Sequence, residues 1–240
     1  MSPCRLRAAP GPLSRRWVSR VGAAAALAVA FLVDLAAGAQ PLEADRTVVR
    51  FDAPETGGPA HPQFVFEREL AFGARLEALA DANRADRSRP YLERHVQAAL
   101  ERLIGEELLA HLPMDPEPTA AEIESRMTFS RTVLEQRVGG GDELAGAAQA
   151  EGIDPAEVGK VLLREARASL YLDRMVAPML EPSEAELREF HRSTGSPFFG
   201  QRFEDVLVPL RSRYVAERLE TAIASFYQNA RTRVHLVVLR

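Results

Sequence analysis

Five histidines, at positions 61, 95, 111, 191 and 235, are the side chains best suited to acid–base or metal chemistry near neutral pH. They are scattered, with no pair at helical spacing and no His-Glu-x-x-His motif, so the sequence offers no converging metal ligands. His95 falls in a helical pattern and His235 in a strand pattern, and both read as structural or surface residues. Nucleophilic chemistry fares no better. The one cysteine is Cys4, and no Gly-x-Ser-x-Gly elbow presents a serine. Gly139-Gly140-Gly141 lacks the following Lys-Ser/Thr of a phosphate loop and reads as a helix stop with a joint. Glu106-Glu107 and Asp142-Glu143 are acid pairs, but neighbouring residues on a helix do not face each other, so both pairs are expected on solvated surface. The sequence therefore assigns no catalytic residue, no metal site and no cofactor.

The chain's two ends set the context for those absences. Arg5, Arg7, Arg15, Arg16 and Arg20 precede an apolar run over residues 21–33, and Ala37-Gly38-Ala39 follows. A basic segment, a short apolar core and a small-residue site make a secretory signal, with cleavage expected after Ala39. The run is shorter than the roughly 20 residues of a spanning helix, so no membrane span is expected after cleavage, although a retained anchor is the alternative. Removing five arginines and Asp34 from 30 basic and 34 acidic residues leaves the mature chain with a net charge of −8 and no cysteine. Such a chain has no basic stripe for nucleic acid, and its fold must rest on its core alone.

Periodicity divides the rest into residues 40–66, a β-flavoured segment, residues 67–193, a helical region, and residues 194–240, a long helix and a strand. Thr47-Val48-Val49-Arg50-Phe51 and Phe64-Val65-Phe66 flank a Pro/Gly-rich turn. Leu70, Phe72, Leu76 and Leu79 start the helical stripes, and residues 81–88 read as a loop. A helix is expected from Pro90 at its first position to Leu112. Thr119-Ala120-Ala121-Glu122 and Ser183-Glu184-Ala185-Glu186 are capping boxes. Asp154-Pro155-Ala156-Glu157 opens what reads as the longest helix, with Val158, Val161, Leu162, Leu172, Met175, Val176 and Met179 inward. A last helix spans residues 203–231 with Leu219, Ile223 and Phe226 inward, its first turn made uncertain by Pro209, and residues 233–239 are strongly β. The fold class is mainly α, a multi-helix core with a small β ribbon formed by N- and C-terminal strands, paired within one chain or between two.

Several of these stretches, in their order, resemble SurA-like periplasmic chaperones. They are Glu67-Arg68-Glu69-Leu70, then Leu100-Glu101-Arg102-Leu103-Ile104-Gly105-Glu106-Glu107-Leu108-Leu109, then Pro182-Ser183-Glu184-Ala185-Glu186-Leu187, and finally Phe203-Glu204-Asp205-Val206 before the terminal strand. The resemblance covers residues 64–240. It implies a periplasmic, ATP-independent chaperone core that binds unfolded or extended polypeptides, exported or destined for the outer membrane, in an apolar helical groove. In that family a parvulin prolyl isomerase domain follows the Ser-Glu-Ala-Glu helix. Here only thirteen residues separate Glu189 from Phe203, against the roughly 50 that a domain needs, so that module is absent and isomerase activity is not expected. Adaptable apolar side chains suit a loose client surface, and Met127, Phe129, Met175, Met179, Phe198 and Phe199 are the candidates, Phe198-Phe199 first because a Gly/Pro turn holds them. An envelope scaffold with one dedicated partner, and a degenerate prolyl isomerase, are the alternatives.

Overall fold

A computed structural model describes residues 45–83, 89–193 and 195–239. The expected signal segment lies outside the described residues. Among the described residues three strands and seven α-helices follow in the order β1 (Thr47–Asp52), β2 (Gln63–Phe66), α1 (Glu67–Ala80), α2 (Glu93–His111), α3 (Ala120–Val138), α4 (Gly141–Ala150), α5 (Pro155–Tyr171), α6 (Glu184–Arg192), α7 (Phe203–Arg231) and β3 (His235–Val238). The fold is mainly α with a small antiparallel sheet, as the sequence predicts.

The sheet has the order β2-β1-β3, so the first strand is central and the last lies beside it. Arg50 pairs with Phe64 on one side and with Val237 on the other. The terminal strands thus pair within one chain. Val49, Phe51 and Val65 point inward and are almost wholly buried. They form the first core with Leu70, Leu103 and Leu108 of α1 and α2, and Phe226 and Ala230 near the end of α7 close it. A second core lies between α1, α3, α4 and α5, around Phe72, Leu76, Leu134 and Leu162. The third, smaller core is separate in residues. Leu187 of α6 meets Val206, Leu210 and Tyr214 of α7, with Phe190, Phe198 and Phe203 packed against them.

Local signals explain the element ends. Thr119, Asp154 and Ser183 each accept the amide of the residue three further on, and the Glu there returns the bond. Gly139 ends α3 at φ 105°, a left-handed conformation that a side chain would strain. Two expectations need correction. The helix expected from Pro90 starts at Glu93, because the Leu92 amide donates to Nδ1 of His95 at 3.0 Å and this side-chain cap fixes the first turn. The longest helix is α7, not α5, since α5 gives way at Leu172 to a single wide turn (Leu172–Val176) and a 3-10 turn (Ala177–Leu180) containing Pro178. Pro209, for its part, is held inside α7.

The first and second cores meet on α1, so truncation there should be costly. Phe72→Ala and Leu76→Ala remove side chains that are 1% and 0% exposed. Each is expected to lower the unfolding free energy by about 3–5 kcal/mol, read from urea denaturation followed by circular dichroism.

Candidate functional site

The six candidate side chains come from three places, and the structure does not gather them into one groove. Met127, on α3, packs against the second core. Phe198 turns inward onto the third. Phe129 is 51% exposed, Met179 75% and Phe199 61%. Met175 is half-buried in the wide turn after α5. The inward placement of Met179 is therefore wrong: the change of helical pitch after Tyr171 breaks the stripe that would have carried it to the core. Phe198 and Phe199 divide their roles because Phe199 and Gln201 turn back onto Ser196 and Phe198 through main-chain bonds.

Polar pins hold the wide turn in place. Asp173 pairs with Arg126 of α3, and Arg174 pairs with Glu122 at the start of the same helix. Arg174 also donates to the Pro116 carbonyl at 3.2 Å. Arg126 lies 5.8 Å from the Phe129 ring centre, so one guanidinium touches both the turn and an exposed aromatic. Ion pairs thus tie the polar side of this segment to α3, while Met175 and Val176 are half-buried and Met179 is exposed.

A longer apolar surface, which the sequence assigned to the interior, lies on α7. At its first turns the helix is fixed by the third core, and at its last turns by Phe226 and Ala230 in the first. Between them Val215, Leu219, Ala222 and Ile223 recur at helical spacing, yet all stay only partly covered. Leu219 and Ile223 are thus half-buried rather than core. Docking of the far end is steric as much as apolar. The Tyr227 ring occupies the space that Gly105 leaves on α2, where a Cβ would lie 2.4 Å from it. Burial, then the nearby Glu106 carboxylate, pushes the Tyr227 hydroxyl up to about 12.

Beneath that contact lies a charge cluster that sequence reasoning missed. Glu106 and Glu107 were expected on solvated surface, but Glu106 is buried and Glu107 half-buried. Glu106 takes Arg102 at 3.4 Å and Arg164 of α5 at 3.4 Å, and Arg164 also meets Glu69 of α1 at 2.7 Å. Glu77 of α1 takes Arg102 at 2.9 Å and Arg137 of α3 at 2.7 Å. Glu165 sits among these groups with one carboxylate oxygen buried and unpaired. Burial first, and Glu106 second, push its carboxyl up to about 7 against the pull of Arg102, Arg137 and Arg164. The cavity beside the cluster, lined by Glu69, Phe72, Gly73, Arg102, Leu103 and Arg164 among others, measures about 10 Å³. It has room for no more than one water.

Three of the histidines lie against other side chains, one of them buried. His95 is buried, and its Nε2 faces Asp81 at 3.2 Å. Burial would raise Asp81, but hydrogen bonds from Arg94, His95 and the Asn83 amide bring its carboxyl down to about 2. His191 stacks edge-on against Phe203 at 5.7 Å, and His235 faces Asp52 at 3.5 Å. Among the described residues no group of three His, Cys, Asp or Glu side chains could hold a metal ion, and no helix is long and apolar enough to cross a membrane. Comparison with family models, with curated proteins and with solved structures finds no match to this chain.

The charge cluster and the contact of Tyr227 with Gly105 can each be tested. In the folded chain Glu165 keeps its proton up to about pH 7, against a usual 4.5. Between those values the unfolded chain binds fewer protons than the folded one, so stability falls as pH rises through that window and is level beyond it. Glu165→Gln should flatten this component of the slope, measured as urea midpoints from pH 5 to pH 8, and raise stability most at the alkaline end. Gly105→Ala should cost about 1–3 kcal/mol by overpacking. In a double-mutant cycle Tyr227→Ala should cancel much of that penalty.

Proposed function

We propose that this chain is a periplasmic, ATP-independent chaperone that holds unfolded exported or outer-membrane polypeptides, without isomerase activity. The observation that carries the reading is the apolar stripe of α7, anchored at both ends and left half-covered between them. Burying those residues completely would stabilise the free chain, so leaving them accessible leaves apolar surface for another chain. Met179 and Phe199 extend the adaptable surface, since thioether and aromatic groups accommodate many apolar shapes.

Other features support the same reading. α6 ends at Arg192 and α7 begins at Phe203, a connection too short to hold an isomerase domain. The order of motifs that resembles SurA-like proteins supports reading the long helix and terminal strand as the end of a client-binding core. A net charge of −8 after signal removal would keep such a surface soluble through mutual repulsion.

The reading is tested by light scattering from several unrelated proteins as they aggregate on dilution from denaturant. The chain should slow aggregation of all of them without added nucleotide. Met179→Asp and Leu219→Asp should each weaken that protection severalfold while the far-ultraviolet spectrum stays unchanged, and Leu163→Asp, at an exposed position on α5, should leave it intact. Protection of none of the test proteins would reject the chaperone reading.

A further inference from the structure

We propose that two copies of this chain associate through β3, joining their three-stranded sheets into one six-stranded antiparallel sheet. β3 is an edge strand, and among the described residues nothing pairs with its outer side. The Leu239 amide donates to the Val48 carbonyl at 2.9 Å. Antiparallel alternation then turns the main-chain groups of Val237 and His235 toward β1 as well, and those of Leu236 and Val238 outward. Those outward donors and acceptors are what a further strand would bind.

Proteins usually blunt such an edge with a lysine, a proline, an inward charge or a bulge. The β3 segment His235-Leu236-Val237-Val238-Leu239 has none of these. The other side of the sheet is different: a bulge falls between Thr47 and Val49, and Pro62 precedes β2. The β3 side chains are also poorly covered on both faces, with Leu236, Val237, Val238 and Leu239 exposed by 40%, 37%, 49% and 37%. Their partners on β1 behave otherwise, since Val49 and Phe51 are 3% and 1% exposed.

A second copy fits this edge because the segment complements itself. An antiparallel two-fold centred on Val237 sets Leu236 opposite Val238 of the other copy, so both outward residues exchange main-chain bonds with it. The same axis sets Val237 opposite Val237 and His235 opposite Leu239. Apolar side chains then meet apolar side chains, and no like charges face each other across the axis. The arrangement is isologous and closed, so it stops at two copies. One short strand pair buries less than roughly 1,200 Å², the low end for specific association, so the dimer is weak and builds with concentration.

The chain's single cysteine makes a direct test simple. In the full chain carrying Cys4→Ser, Val237→Cys puts two thiols at a pair that shares no main-chain bonds. Such a pair has Cα atoms about 4.5 Å apart, within reach of a disulfide. Mild oxidation should yield a disulfide-linked dimer severalfold faster than in the matching Val208→Cys chain, whose residue is 77% exposed on α7. Sedimentation of the unmodified chain should show a dimer fraction that rises with concentration. Val238→Pro should abolish it, because proline lacks the outward amide, with a native circular dichroism spectrum since that amide makes no bond to β1. A chain that stays monomeric up to its solubility limit would overturn the proposal. So would equal cross-linking at positions 208 and 237, or a dimer that survives Val238→Pro.

Discussion

Two carboxylates, Glu77 and Glu106, each receive two arginines, and that sharing ties together α1, α2, α3 and α5. Glu77 joins α1 to α2 and α3, and Glu106 joins α2 to α5. Buried ions are costly unless matched, and leaving one partner unmatched is costlier still, so these contacts penalise misalignment of the four helices they join. Leu and Ala faces can slide by a fraction of a turn with modest loss, whereas a guanidinium that misses its carboxylate cannot. Glu165 is the odd acid in this arrangement. Its unpaired oxygen and raised proton affinity are the residue of a cluster with more carboxylates than its arginines fully match.

The cluster also determines what α7 can do. This helix makes no ion pair with Glu106; it brings Tyr227 over the glycine beside it. Its fixed points lie on the sheet and α2 at one end, where Arg231 also pairs with Glu101 at 2.7 Å, and on α6 at the other, where the Tyr214 hydroxyl also donates to Glu186 at 3.3 Å. Residues between two such supports need not be buried for the helix to persist, because helical main-chain hydrogen bonding carries it across, Pro209 near the start being a position that lacks an amide N–H. An accessible apolar stripe is the consequence of supporting a long helix at its ends. The pinned wide turn after α5 follows the same logic, with Arg126 and Arg174 bearing the load and the methionines left over.

Much of this architecture was legible from the residues. Capping boxes at Thr119, Asp154 and Ser183 fixed three helix starts, and alternation at both chain ends announced strands that do pair. The charge cluster was not recovered, although a signal for it exists. Glu165 occupies a stripe position of α5, three residues after Leu162 and four after Val161, where an apolar side chain would be expected. Arg102 and Glu106 stand four apart on α2. Neither spacing says whether a charge faces water or another helix, because that depends on partners from α1 and α3 that are distant in sequence. The same gap explains Met179 and the cap at His95: one needed the pitch change after Tyr171, the other a side chain acting as a backbone group. The candidate surface was legible as composition but not as geometry, since exposure is settled by packing between elements.

The central position of β1 has a mechanical side. Val49 lies opposite Val238, and Asp52 opposite His235, so the outset of the first strand and the finish of the last are neighbours. Force applied to the two ends would part this ladder rung by rung, like a zipper, instead of loading all its rungs together as in a sheared sheet. Neighbouring ends also permit re-cutting of the order of the chain. A short bridge from Leu239 to Asp45, with a new opening within residues 195–202, would interrupt no described helix or strand and would place the cut beside Phe199.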